Sequence, residues 1–222
     1  NSKSPVHRGI YWYVIAIIIS ILSSLISTIV LYFIKIPANL IPIFPDFLDF
    51  QFSNLPAIIG GFILGPIGGI FIVLIRTVIK LPFSSTMMIG ELCDFLIGAI
   101  SVGVSSLIYK YIHTKRGGVI ALLGSTIAWI LVAIFVNAVI IIPFYMKVFH
   151  MDASQFVNML WFVKNVNENN YMLYYILAIT IPFNLILSIV VNVVTYFVYK
   201  RVSILMTHLD NRVGNNKEQN DF

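Results

Sequence analysis

Charged residues are scarce in this sequence. They make up 10% of its 222 residues, whereas hydrophobic residues make up 59%. A soluble domain carries about 25% charged residues, which help water to solvate its surface. A chain of this length with so few charges cannot form a well-solvated surface, and this excludes an ordinary soluble fold. The composition therefore predicts an integral membrane protein.

The sequence is also poor in cysteine and lacks the common catalytic motifs. Cys93 is the one cysteine of the chain, which excludes an internal disulfide framework and a metal site made of several cysteines. The sequence has no P-loop, no HExxH motif and no G-x-S-x-G motif. It therefore offers no candidate catalytic residue and no candidate metal site, and we expect that the chain is not an enzyme.

The sequence has long apolar runs instead. A membrane-spanning helix needs about 20 apolar residues. We predict an all-α bundle of six transmembrane helices, at about residues 10–34, 55–64, 67–81, 88–109, 118–146 and 171–199. The second and third of these are short and meet at Gly65-Pro66, a pair that favours a tight turn. We expect one transmembrane domain over residues 1–206 and a polar tail without regular structure over residues 207–222.

Basic residues lie unevenly across the loops between these helices. Six spans place both termini on one side together with nine of the 14 Lys and Arg residues, and five on the other side. The positive-inside rule then places both termini in the cytoplasm. Treating residues 55–81 as one span would move the basic cluster at 110–116 outside and nearly abolish the bias. Because the basic residues flank apolar runs, they indicate membrane topology and not nucleic-acid binding.

Four charged residues lie inside or at the ends of predicted helices, where lipid cannot solvate them. Arg76 and Lys80 are four residues apart on the third helix, and Glu91 and Asp94 are three apart at the start of the fourth. In the predicted topology both pairs lie toward the outer membrane surface. The pattern predicts either ion pairs between the helices or direct contacts with a ligand.

Asparagine and aromatic residues mark the same outer region. Asn137 and Asn184 lie in the outer halves of the fifth and sixth helices, and a buried amide needs hydrogen-bond partners from another helix or from a ligand. Together they predict a pocket that opens to the outside. The aromatic residues form either an interfacial belt or a stacking surface for a planar ligand. They are Phe44, Phe47, Phe50, Phe52, Phe144, Tyr145, Trp161, Tyr171, Tyr174 and Tyr175.

Small residues recur on the first predicted helix. Ala16, Ser20 and Ser24 are spaced by four, and this spacing lets another helix approach closely. The stripe predicts either packing within this chain or contact with a partner protein in the membrane.

Five segments occur in an order and spacing that resemble a known family. They are FSNLPAIIGGFILGPIGGI, GELCDFLIGA, NAVIIIPFYMKVF, IPFNLI and VTYFVYKR. Over about residues 31–201 the chain resembles the S components of energy-coupling factor (ECF) vitamin transporters, which are their substrate-binding membrane subunits. Within that family it is most similar to the riboflavin-uptake branch. The resemblance implies a six-helix bundle in the bacterial plasma membrane, with an outward-facing vitamin pocket and an outer loop after the first helix that closes over the ligand.

The resemblance also implies partners. An S component captures its vitamin with high affinity and works with a membrane coupling protein, the T component, and two cytoplasmic ATPases. The vitamin is the transported substrate, so no cofactor is expected. The family positions that contact the coupling protein match Ala16, Ser20 and Ser24. The alternatives are a stand-alone secondary transporter and a membrane enzyme or assembly factor.

The candidate substrate-binding residues combine the resemblance with the polar pattern. They are Asn137, Asn184, Phe52, Ser53, Asn54, Arg76, Lys80 and Glu91. The chain departs from the riboflavin branch at Leu187, where lysine is typical, and at Gln51 and Asn54, where aspartate is typical. We therefore expect either riboflavin or another vitamin or precursor, such as pantothenate or hydroxymethylpyrimidine. Arg76 or Lys80 facing the pocket would favour pantothenate, because pantothenate carries a carboxylate.

Overall fold

A computed structural model describes residues 14, 15, 17, 18, 21–27, 29, 30, 35–46, 48–84, 86–112 and 114–218, and for residues 35, 115 and 202–218 it describes the backbone alone. Most of this part of the chain is helical. The helices are α1 (seen at residues 14, 15, 17, 18, 21–27, 29 and 30), α2 (Asn54–Lys80), α3 (Ile89–Tyr111), α4 (Lys115–Val136), α5 (Ile142–Val148), α6 (Ala153–Met159), α7 (Tyr171–Tyr175) and α8 (Ile181–Glu218). Helix α3 packs against both α2 and α4, and α4 packs against α8.

Helix α2 folds back on itself at Gly65. The backbone there has φ 82° and ψ 178°, a conformation that is essentially restricted to glycine. Arg76 Nη1 lies 2.8 Å from Asn54 Oδ1, although a straight helix would separate these two residues by about 33 Å. The turn predicted at Gly65-Pro66 is therefore present, and α2 consists of two antiparallel arms.

Two π-helical turns shape the second half of the bundle. The turn Asn137–Ile141 joins α4 to α5, and the turn Ile176–Thr180 joins α7 to α8. Each lies just before a proline, Pro143 or Pro182, which has no N–H to close a regular helical hydrogen bond. The wider π turn accommodates that missing bond and is common at functional sites. The predicted fifth helix therefore corresponds to α4 and α5 joined by a π turn, and the predicted sixth helix to α7 and α8 joined by another.

The segment after α1 contains a small β-hairpin that the sequence pattern did not predict. Strand β1 (Lys35–Pro37) pairs antiparallel with β2 (Asp49–Gln51). The intervening chain folds onto the hairpin, where Ala38 N donates to Leu48 O at 2.8 Å. We call residues 35–46 and 48–52 the hairpin segment. It lies directly before α2.

Four stretches of the described chain have the length and apolar composition of a membrane span. They are Asn54–Phe83, Ile89–Tyr111, Arg116–Val148 and Tyr171–Arg201. The first contains both arms of α2, and α1 is described only in part. The predictions of six transmembrane helices and of two cytoplasmic termini stay predictions.

Helix α8 extends beyond the predicted sixth helix, and the domain boundary at residue 206 stays a prediction. Helix α8 continues to Glu218, so the polar segment from residue 207, expected to lack regular structure, is helical to that point. The polar residues of this segment end the apolar pattern, which is why a helix was not expected there. They include no proline that would end the helix.

Candidate functional site

A cavity of about 610 Å³ lies among β2, α2, α3, α4 and the segment from α7 to α8. This volume is typical of a pocket for a small molecule. Its polar and charged lining comprises Asp49, Gln51, Asn54, Lys80, Thr86, Glu91, Asp94, Asn137, Thr180 and Asn184. Its apolar and aromatic lining includes Leu48, Phe83, Cys93, Ile97, Trp129, Ile141, Tyr145, Tyr175, Ile179, Phe183 and Leu187. One wall is therefore rich in amides and aromatic rings, and another carries charges.

Asn184 is fixed in the amide-rich wall by two hydrogen bonds. Its Oδ1 accepts from Trp129 Nε1 at 3.0 Å, and its Nδ2 donates to the carbonyl oxygen of Thr180 at 2.9 Å. An amide has two N–H donors and an oxygen with two lone pairs. One N–H and one lone pair thus remain for a molecule in the cavity, and the side chain that presents them is already oriented.

Asn137 stands at the start of the other π turn. Its Nδ2 donates to the carbonyl oxygen of Ala133 at 2.8 Å, and the side chain lines the same cavity. Two buried asparagines therefore face one space from two different helices, as the sequence predicts.

Arg76 lies behind the cavity wall. It is completely buried, and its Nη1 donates to Ser53 Oγ at 2.9 Å and to Asn54 Oδ1 at 2.8 Å. Its Nη2 forms an ion pair with Asp94 Oδ2 at 3.0 Å. Asn54 and Asp94 line the cavity, whereas Arg76 and Ser53 do not. For Arg76 the ion-pair alternative is therefore the one that the structure shows.

Lys80, one turn further along α2, reaches the cavity beside a carboxylate. Its Nζ lies 3.8 Å from Glu91 Oε1. The other oxygen, Glu91 Oε2, accepts from Ser84 Oγ at 2.5 Å and from Thr86 Oγ1 at 3.2 Å. The loop between α2 and α3 is thus attached to the first turn of α3, and Glu91 has several partners before any ligand binds.

The hairpin segment closes one side of the cavity. Leu48, Asp49 and Gln51 are part of the lining, and Gln51 Oε1 is buried without a hydrogen-bond partner in the described structure. Phe50 stacks on Phe183 with ring centroids 5.0 Å apart, and Phe44 meets the same ring edge-on at 5.5 Å. The segment therefore rests on α8 through aromatic contacts.

The predicted substrate-binding residues thus divide into two groups. Those that line the cavity are Asn54, Lys80, Glu91, Asn137 and Asn184, and those that lie outside its lining are Phe52, Ser53 and Arg76.

Of the small-residue stripe on the first helix, Ala16 and Ser20 lie outside the described residues. Ser24 is completely buried, and its hydroxyl lies 3.5 Å from the carbonyl oxygen of Ile72 in α2, so it packs within this chain. A partner-binding role for the stripe stays a prediction.

Sequence reasoning missed several lining residues. Trp129 gave no signal, because a tryptophan in an apolar helix is unremarkable. Tyr145 and Tyr175 were placed only in a general outer aromatic set, yet both line the cavity. The position of Thr180 two residues before Pro182, where the helix widens, is the signal that identifies it. Leu187, the position at which lysine is typical, does line the cavity.

Comparison with known proteins agrees with this architecture. The family model for the substrate-specific component of ECF transporters matches residues 13–199. The riboflavin transporter RibU of Staphylococcus aureus is 29% identical over 187 residues, which cover 84% of this chain and 89% of that protein. The riboflavin transporter FmnP of Bacillus subtilis is 27% identical over 186 residues, covering 82% and 88%.

A solved structure is similar along nearly its whole length. It is described as "Structure and mechanism of the S component of a bacterial ECF transporter", and the two folds superpose with a TM-score of 0.67 at 25% sequence identity. The match covers 86% of this chain and 96% of the solved one. With its helical bundle, its cavity and the family match over most of its length, the chain belongs to the substrate-specific components of ECF transporters.

Proposed function

We propose that this chain is the high-affinity riboflavin-binding subunit of an ECF-type importer in the bacterial plasma membrane. The observation that carries the proposal is the cavity, whose wall combines oriented amides with aromatic rings. Riboflavin is also the substrate in the names of the relatives RibU and FmnP. The vitamin is the cargo and not a cofactor.

The charges around the cavity favour an uncharged ligand. Lys80 is the one cation among the described lining side chains, and it lies beside Glu91 at 3.8 Å. Arg76 is paired with Asp94 and lies behind the wall. Asp49 contributes a further carboxylate to the lining. A ligand carboxylate or phosphate would therefore meet acidic groups and lack a dedicated cationic partner, which argues against pantothenate and for riboflavin.

The opposite wall suits a flavin ring. The ring is planar and largely apolar, and its pyrimidine edge alternates hydrogen-bond donors and acceptors. Trp129, Tyr175 and Phe183 provide aromatic surface, and such rings contact planar ligands favourably. Asn137 and Asn184 each present amide groups that match a donor and acceptor edge. Leu187 at this wall adds apolar surface where a lysine would add charge.

The partners are part of the proposal. Family membership supports assembly with a T component and two cytoplasmic ATPases, which would supply the energy for release into the cell. Among the described residues this chain shows a binding cavity and no nucleotide-binding loop. Binding would therefore belong to this chain and energy coupling to its partners.

A competition titration tests the substrate. The purified protein in detergent should quench riboflavin fluorescence saturably, with one site per chain. Pantothenate and riboflavin 5′-phosphate should compete at least about tenfold more weakly, because their charged groups lose hydration without gaining a partner. Tighter binding of pantothenate or hydroxymethylpyrimidine than of riboflavin would refute the assignment.

A further inference from the structure

Arg76 connects three parts of the molecule that surround the cavity. Ser53 lies two residues after the end of β2, Asn54 begins α2, and Asp94 lies on α3. The guanidinium group bonds to all three side chains at distances between 2.8 and 3.0 Å. Two of the three line the cavity. We call Ser53, which directly follows the hairpin segment, its base. A single buried side chain thus joins this base to the cavity wall.

We propose that Arg76 is a positioning residue for the binding site. It anchors the base of the hairpin segment and fixes Asn54 and Asp94, so that the segment stays closed over a bound molecule. Arg76 does not contact the ligand and acts through these partners. The expected effect of Arg76 on ligand binding rests on the proposed function, because that effect is measured with riboflavin.

Arginine is suited to this position by its shape. Its planar fork directs Nη1 and Nη2 to different partners at once, whereas a lysine ammonium is a point charge. Gly98 leaves room for the guanidinium group because it has no side chain. A Cβ added there would lie 2.9 Å from Arg76 Nη2 and 2.9 Å from Asn54 Oδ1, which is too close. A buried charge is retained only when it is paired and hydrogen-bonded. The geometry therefore holds the base of the segment in one place.

The two attachments of the hairpin segment differ in kind. At its base, charged hydrogen bonds fix one geometry through Arg76. At its far side, Phe44 and Phe50 contact Phe183 through their ring surfaces. Contacts between rings are weakly directional and can separate and re-form, whereas breaking a buried ion pair leaves an uncompensated charge. The base is therefore held by directional bonds, whereas the contact with Phe183 is less directional.

Ser53→Ala is the sharpest variant for this proposal. It removes one hydrogen bond of Arg76 without changing a charge or a lining residue. The matched control is Ser105→Ala, which removes an equally buried hydroxyl whose one bond among the described residues goes to the carbonyl oxygen of Val102 in its own helix. Arg76→Gln removes the whole anchor, and Arg76→Lys keeps the charge but loses the fork.

The first readout is the dissociation rate of riboflavin in stopped flow, together with the number of sites per chain. Ser53→Ala should release riboflavin about tenfold faster, as expected for one lost hydrogen bond to a charged group. Arg76→Gln should release it faster still, with Arg76→Lys between the two and Ser105→Ala like the wild type. All variants should keep about one site per chain. Fewer sites with an unchanged dissociation rate would show a merely structural role and overturn the proposal.

The second readout needs no ligand. Cys93 lines the cavity and is the one cysteine of the chain, so its alkylation by N-ethylmaleimide reports how accessible the cavity is. Ligand-free Ser53→Ala and Arg76→Gln should react faster than the wild type, and Ser105→Ala at the same rate. Equal rates in all four proteins overturn the proposal. If the wild type binds no riboflavin, the proposed function fails, and the alkylation rates alone decide the role of Arg76.

Discussion

At the scale of single residues, the amide of Asn184 determines much of the cavity wall. It accepts from Trp129 and donates to the carbonyl oxygen of Thr180, so it joins α4 to the widened turn before α8. Neither bond uses the full capacity of the amide. The same side chain can therefore orient its neighbours and offer one donor and one acceptor to a ligand.

Replacing Asn184 by alanine should weaken riboflavin binding by about tenfold or more, because the ligand loses hydrogen bonds and Trp129 loses its acceptor. Fluorescence titration measures the change. Asn192→Ala is the matched control, since this buried amide on the same helix bonds to Leu122 and Thr126 and lies outside the cavity lining. An Asn184→Ala protein with wild-type affinity would remove this residue from the site.

The sequence identifies polar side chains in the membrane more readily than their roles. Arg76, Lys80 and Glu91 stand out because lipid cannot solvate a charge. The spacing of Arg76 and Lys80 places them on one helix face, so periodicity cannot distinguish an anchor from a lining residue. The fold-back of α2 distinguishes the two residues. It brings Ser53 and Asn54 around Arg76 and leaves Lys80 at the cavity.

At the scale of elements, the turn at Gly65 sets the geometry of the charged wall. It brings the first residues of α2 beside Arg76 near the end of the second arm. The turn requires glycine because of its backbone conformation and not because a side chain would clash. A Cβ at Gly65 would meet nothing within 4 Å. The backbone conformation alone therefore explains this residue.

Gly65→Ala should lower the free energy of unfolding by about 1–3 kcal/mol, the cost of a side chain in this backbone region. Thermal denaturation in detergent should show a midpoint lower by about 5 °C. Gly118→Ala is the control, because its added Cβ would lie 4.0 Å from the nearest atom within a regular helix, where alanine is favourable. Equal midpoints for the two variants would contradict the argument from φ.

Other elements were beyond sequence reasoning for physical reasons. Strands β1 and β2 have three residues each, too few for an alternating pattern in a segment rich in proline. The two π turns change the helical period by less than one residue per turn, so the apolar pattern hides them. The Gly65 turn was predictable because glycine and proline act through local backbone sterics.

At the scale of the whole molecule, the chain is a membrane transport subunit and not an enzyme, as its family match shows. The hairpin segment and two π-helical turns contribute to a cavity of about 610 Å³. Charges near the cavity are largely paired within the chain. This arrangement suits the capture of an uncharged molecule.

Capture and transport should separate in a reconstituted system. Liposomes that contain this chain alone should bind riboflavin without accumulating it, because binding supplies no energy for uptake. Addition of the T component and both ATPases with ATP should start accumulation, measured with radiolabelled riboflavin. Uptake without ATP by this chain alone would support the alternative of a stand-alone secondary transporter.

The most direct test of the account is native mass spectrometry of the protein purified from riboflavin-containing medium. The account predicts one bound molecule per chain with the mass of riboflavin, lost together with the yellow colour on denaturation. A bound carboxylate- or phosphate-bearing vitamin in its place would contradict the conclusion that the cavity favours an uncharged ligand. So would a protein that retains no small molecule and binds no riboflavin when it is added back.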